Sequence, residues 1–97
     1  MRHFHRTALT PDDVLATADR FFPTVGLTRS ASEMRSRTFS GVLGVLRLMI
    51  KMDGGHATLV EAHTDQVGES RLDKNVKKFF VALHRVDDPR HEIEAGY

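Results

Sequence analysis

The chain is expected to fold as an α+β domain, with two helices packed on one face of an antiparallel sheet. Three observations predict this. Two stretches, after Thr10 and after Ser70, carry apolar residues at helical spacing behind complete N-terminal caps. Between them, "VLRLMIKMDGGHATLVEAHTD" alternates apolar and polar residues on both sides of a glycine turn. The 97 residues suffice for one modest hydrophobic core and are too few for two domains.

The first element is a short strand over 2–7, "RHFHRT". Phe4 is expected to face inward, with His3 and His5 on the opposite side. A helix follows. Thr10 is its N-cap and Pro11 its first residue, where a missing N–H costs nothing. Asp12 and Asp13 complement the positive end of the helix dipole. Leu9 and Val14 are placed to staple the cap. Val14, Ala18 and Phe21 line one face, flanked by Leu15 and Phe22. Pro23 is expected to end the helix, because a residue before proline avoids helical geometry.

Strand signals come next. "TVGLTRSA" alternates Val25 and Leu27 with Thr28 and Ser30 opposite. "MRSRTFSG" is a more polar strand in which Arg35, Arg37 and Phe39 share a face. Gly41 to Gly44 reads as a bend or bulge, since two glycines weaken a strand. The hairpin that follows has a loop of Asp53, Gly54 and Gly55. A three-residue loop there pairs Met52 with His56, Ile50 with Thr58, Leu48 with Val60 and Leu46 with Ala62. It also sets Arg47 against Glu61, Met49 against Leu59 and Val45 against His63.

The last element is "SRLDKNVKKFFVALHRV". Leu72, Val76, Phe79, Phe80, Leu83 and Val86 recur on one face. Ser70 is the N-cap, and Asp73 three residues on resembles a capping box. The domain is expected to span 1–88, with 89–97 a loosely held tail beginning at Pro89. The order strand, helix, four antiparallel strands, helix resembles one half of a TATA-box-binding-protein-like fold, or a shortened helix-grip domain. That is a resemblance of element order alone, and it transfers no function.

Composition narrows the chemistry. The chain has no cysteine, which removes disulfide and thiolate chemistry and suits a reducing cytoplasm. No apolar leader is visible, and Val42 to Ile50 is far short of a membrane span. A net charge of only +1 argues against a dedicated nucleic-acid binder. The basic row Arg71, Lys74, Lys78 and Arg85 reads as the solvated back of the last helix, with Phe79 and Phe80 on the core side.

Four groups of residues remain as candidate sites. Glu61, His63 and Asp65 project from one face of a strand, a row that could bind a metal or pass protons. His3 and His5 share this spacing. Val45, Met49 and Leu59 stand on the sheet face away from the helices, where an apolar patch invites a partner. Val81 lies among charges on the last helix and offers a second contact point. Phe21, Phe22, Met34, Met52, Phe79 and Phe80 could line a small apolar slot between sheet and helices. No serine has a placed histidine partner, so catalysis is not the expected role, and no cofactor is implied. The expected role is binding or self-assembly, as a homodimer through the open sheet face. The alternatives are a small apolar ligand held between sheet and helices and, behind it, a metal or acid–base site at His63 with Glu61 or Asp65.

Overall fold

A computed structural model describes residues 1–55 and 57–87. Helix α1 spans Pro11–Thr24. The Thr10 hydroxyl accepts the Asp13 N–H at 3.2 Å, and Val14, Leu15, Ala18 and Phe22 are buried. The stop expected at Pro23 falls later. The helix runs through Pro23 and closes at Thr24. Proline forfeits its own N–H bond, but its fixed φ still suits a final turn. The chain reverses instead at Gly26, whose φ of 88° favours glycine. There the Val25 N–H donates to Phe22 O at 3.1 Å and the Gly26 N–H to Pro23 O at 3.2 Å.

Five strands form one antiparallel sheet: β1 (Arg2–Thr7), β2 (Leu27–Glu33), β3 (Ser36–Gly41), β4 (Gly44–Asp53) and β5 (Ala57–Thr64). Their order across the sheet is β1-β5-β4-β3-β2. A bulge between Arg29 and Ala31 interrupts the β2 edge. Gly41 and Gly44 pair across Val42 and Leu43, so the expected bend is the tight turn of a hairpin. Arg37 and Phe39 share the helix-facing side, where Asp19 of α1 takes up Arg37. Arg35 does not join them, because it lies in the turn before β3.

The β4–β5 hairpin differs from expectation by two residues of register. Asp53 pairs with Ala57 and belongs to the ladder instead of the loop. Leu46 then faces Thr64, Leu48 faces Ala62, Ile50 faces Val60 and Met52 faces Thr58. A slip of two keeps every side chain on its own face, so burial scores both registers alike. The choice falls to the turn. Gly54 takes the left-handed φ of 74°, and the Asp53 carboxylate is held by Arg6 of β1. Arg47 therefore meets His63 instead of Glu61, and Met49 meets Glu61 instead of Leu59.

Strand β1 presents the opposite face from the one expected. His3 pairs with Ala62 and His5 with Val60, so both histidines share the helix-facing side of β5. Phe4 is 55% exposed on the other side. An edge strand takes its facing from its neighbour, and here the helix layer satisfies both imidazoles. The His5 ring stacks on Phe80, with centroids 4.9 Å apart.

Helix α2 spans Arg71–Asp87. Leu72, Val76, Phe79 and Leu83 are fully buried and join the α1 and sheet residues in one core cluster. Val86 has the right angular position but is exposed, because the last turn extends past the side chains that bury the earlier ones. Both helices lie on the same face of the sheet. The expectation for 89–97 lies outside the described residues.

Candidate functional site

The helix-free face of the sheet carries five of the candidate residues: Val45, Met49, Leu59, Glu61 and His63. Phe4 of β1 and Met49 of β4 both pair with Glu61, one from each side. Leu59 lies two residues along β5 on the same face, opposite Lys51. Phe4, Met49 and Leu59 thus surround the Glu61 stem. Phe4 is exposed while Met49 and Leu59 are half-buried; Val45, exposed, stands nearer the β3–β4 turn. Val81 is half exposed on α2, which packs against the other side of the sheet, so it does not join this patch.

Glu61 is held by two cations or potential cations. Its Oε1 accepts from Lys51 Nζ at 3.2 Å and its Oε2 lies 3.2 Å from His63 Nε2. The Lys51 hydrogen bond pulls the Glu61 carboxyl below the usual range. Desolvation opposes this, and His63 reinforces it. Arg2 and Arg47 flank His63 from the neighbouring strands, making a basic row beside the apolar patch.

Asp65 does not reach Glu61 and His63. Its Oδ1 accepts the Val45 N–H at 2.9 Å and the Gln66 side-chain amide at 2.8 Å. These bonds, the Val45 one foremost, lower its pKa. Among the described residues, no group of three histidine, aspartate or glutamate side chains is placed to hold a metal ion.

The phenylalanines between sheet and helices pack on one another. The Phe22 ring centroid lies 5.0 Å from Phe39 and 4.9 Å from Phe79, with Phe21 edge-on at 5.1 Å. Such spacings match the preferred range for aromatic pairs and fill the layer with side chains. Phe80, partly buried at the rim of this layer, stacks on His5 and lies 6.1 Å from Phe79. Met34, in the β2–β3 turn, and Met52, near the end of β4, are both exposed and are not brought to the phenylalanines.

The structure also assembles a cluster that sequence reasoning missed. The Asp73 side chain is 1% exposed. Its Oδ1 lies 2.6 Å from His3 Nε2 and accepts from the Thr64 hydroxyl at 2.9 Å. Its Oδ2 accepts from the Ser70 hydroxyl at 2.5 Å, while the Asp73 N–H donates back to Ser70 Oγ at 3.1 Å. Burial pushes this carboxyl up. The bonds from Ser70, His3 and Thr64, with the charge of His3, pull it down further, so it sits below its ordinary value. The serine proton points at the carboxylate and the histidine touches the carboxylate too. No base is therefore aimed at Ser70, and the cluster acts as a polar pin between β1, β5 and α2. The Ser70–Asp73 half was visible as a cap spacing. The His3 half joins residues 70 apart and left no local signal.

No protein-family model and no curated protein matches this chain. Among the described residues, no helix is long and apolar enough to cross a membrane.

Proposed function

We propose that the protein acts by binding and self-assembly, as a homodimer joined through the open sheet faces. The supporting observation is the cluster of Phe4, Met49 and Leu59 around Glu61 on a face that neither helix covers. Phe4 enlarges the patch beyond the residues expected from alternation alone. Five strands of 6 to 10 residues span about 24 by 20–33 Å of plane. That reaches at most the roughly 800 Å² per partner of a standard stable interface. The proposed dimer is accordingly weak and concentration-dependent. Its proposed location is the cytoplasm, in keeping with a fold that uses no disulfide.

Sedimentation velocity from micromolar to near-millimolar protein tests this. The wild type should shift from monomer toward dimer, and Phe4→Lys or Met49→Lys should hold it monomeric. Strict monomer behaviour throughout defeats the proposal. So does a dimer that survives Phe4→Lys but dissociates with Val81→Lys, which would place the contact on α2.

A further inference from the structure

A second surface lies on the helix side of the molecule, away from the open face. A cleft of about 350 Å³ opens between α2, the turn after α1 and the β3–β4 turn. Its lining is Arg71, Lys74, Asn75 and Lys78 from α2, with Val25 and Leu43 from the two turns. The volume falls within the roughly 300–1,000 Å³ typical of small-molecule sites.

The spacing explains the convergence of charge. Residues 71, 74, 75 and 78 fall on one stripe of a helix, and the stripe rises about 10 Å from Arg71 to Lys78. The stripe flanks the buried face of Leu72, Val76 and Phe79. Three cations therefore share one concave wall. Two carboxylates near the stripe, among the described residues, are directed elsewhere. Asp73 turns inward to His3, Thr64 and Ser70. Glu69 bonds Lys77 at 3.0 Å on another side of the helix, with Lys74 adding only a weaker attraction. Asn75 spends its side-chain N–H on the Arg71 carbonyl at 2.9 Å, which fixes the amide at the cleft wall.

We propose that this cleft binds a small organic diphosphate. The phosphates lie against Arg71, Lys74 and Lys78, and the organic body rests on Val25 and Leu43. One phosphate monoester carries about −1.5 to −2 at neutral pH, so three cations suit two phosphate groups better than one. Arg71 supplies a planar fork that matches phosphate oxygens, and the lysines supply adjustable point charges. The two apolar side chains of the lining, Val25 and Leu43, distinguish this wall from a bare charged surface. A nucleic-acid strand fits it less well, because among the described residues no aromatic side chain lines the cleft for base stacking.

Calorimetric titration at low salt with ADP, isopentenyl diphosphate and inorganic pyrophosphate tests the assignment. At least one of the two organic diphosphates should bind more tightly than pyrophosphate. The exposed pair Lys74→Ala/Lys78→Ala, checked for an unchanged circular dichroism spectrum and melting point, should weaken that binding by about tenfold or more. Leu43→Ser should weaken the organic ligand and leave pyrophosphate unchanged. Absence of binding by both organic probes overturns the proposal. So does equal affinity for pyrophosphate, equal affinity in the double variant, or displacement by single-stranded oligonucleotides with affinity that grows with their length.

Discussion

Replacing Asp73 with alanine should be among the most costly polar substitutions in this protein. The change leaves His3 Nε2 and the Thr64 and Ser70 hydroxyls without their acceptor in a buried layer. Hydrogen bonds to a charged group contribute about 1.5–3 kcal/mol each, but three bonds to one carboxylate do not add fully. Removing one partner of a buried, paired charge costs about 3–5 kcal/mol, and we take that range. In a chain of this size each kcal/mol moves Tm by roughly 4–8 °C, so the loss should be roughly 12 °C or more. Glu69→Ala, which removes an exposed, solvent-screened pair with Lys77, should cost far less. The pH dependence follows from the depressed pKa of Asp73. Its contribution is complete above the unfolded value near 3.9 and drains away as pH falls through the lower folded value. Asp73→Asn cannot titrate, so the stability gap between wild type and this variant should narrow as acid is added below about pH 4. Urea unfolding followed by circular dichroism between about pH 7 and pH 3 measures both effects. A cost for Asp73→Ala no larger than that of Glu69→Ala would refute the argument, as would a wild-type to Asn gap that ignores pH.

Three further substitutions probe the frame. Gly44→Ala should destabilise by roughly 2–4 kcal/mol, combining a positive-φ cost of about 1–3 with a lost hydrogen bond of about 1. Gly44 has φ 129°, and a Cβ there would lie 2.6 Å from Asp65 Oδ1 and from Gln66 Nε2. Gly26→Ala meets nothing within 4 Å, so it should show the backbone cost alone; equal losses in denaturant titration would remove the steric part of the account. Phe22→Ala should cost about 3–5 kcal/mol, because its ring is wedged among Phe21, Phe39 and Phe79. A loss below about 1 kcal/mol by the same titration would show that the aromatic layer closes over the gap.

Much of the architecture was legible in the chain. Thr10–Pro11 and Ser70–Asp73 mark both helix starts, and alternation from Leu46 to Ala62 assigns those side chains to the correct faces. These features depend on residues within a turn or a strand of one another. The stop of α1 was misplaced because Pro23 tolerates a last turn that Gly26 then ends. Of the candidate sites, the sequence placed Met49 and Leu59 on one open face. It did not show Phe4 beside them or the cleft between α2 and the two turns.

The sequence by itself determined the order of helices and strands and, along β4, β5 and most of each helix, which apolar side chains share a face. Tertiary structure decided three things. Strand β1 took its facing from β5, which put Phe4 outside and both histidines inside. The β4–β5 register was chosen by the turn, since two registers bury the same residues. Asp73 found His3 across 70 residues of chain. The reason is common to all three. Backbone preference and periodicity act over a few residues, whereas an edge strand's face and a buried carboxylate's partner depend on what the folded layers bring together.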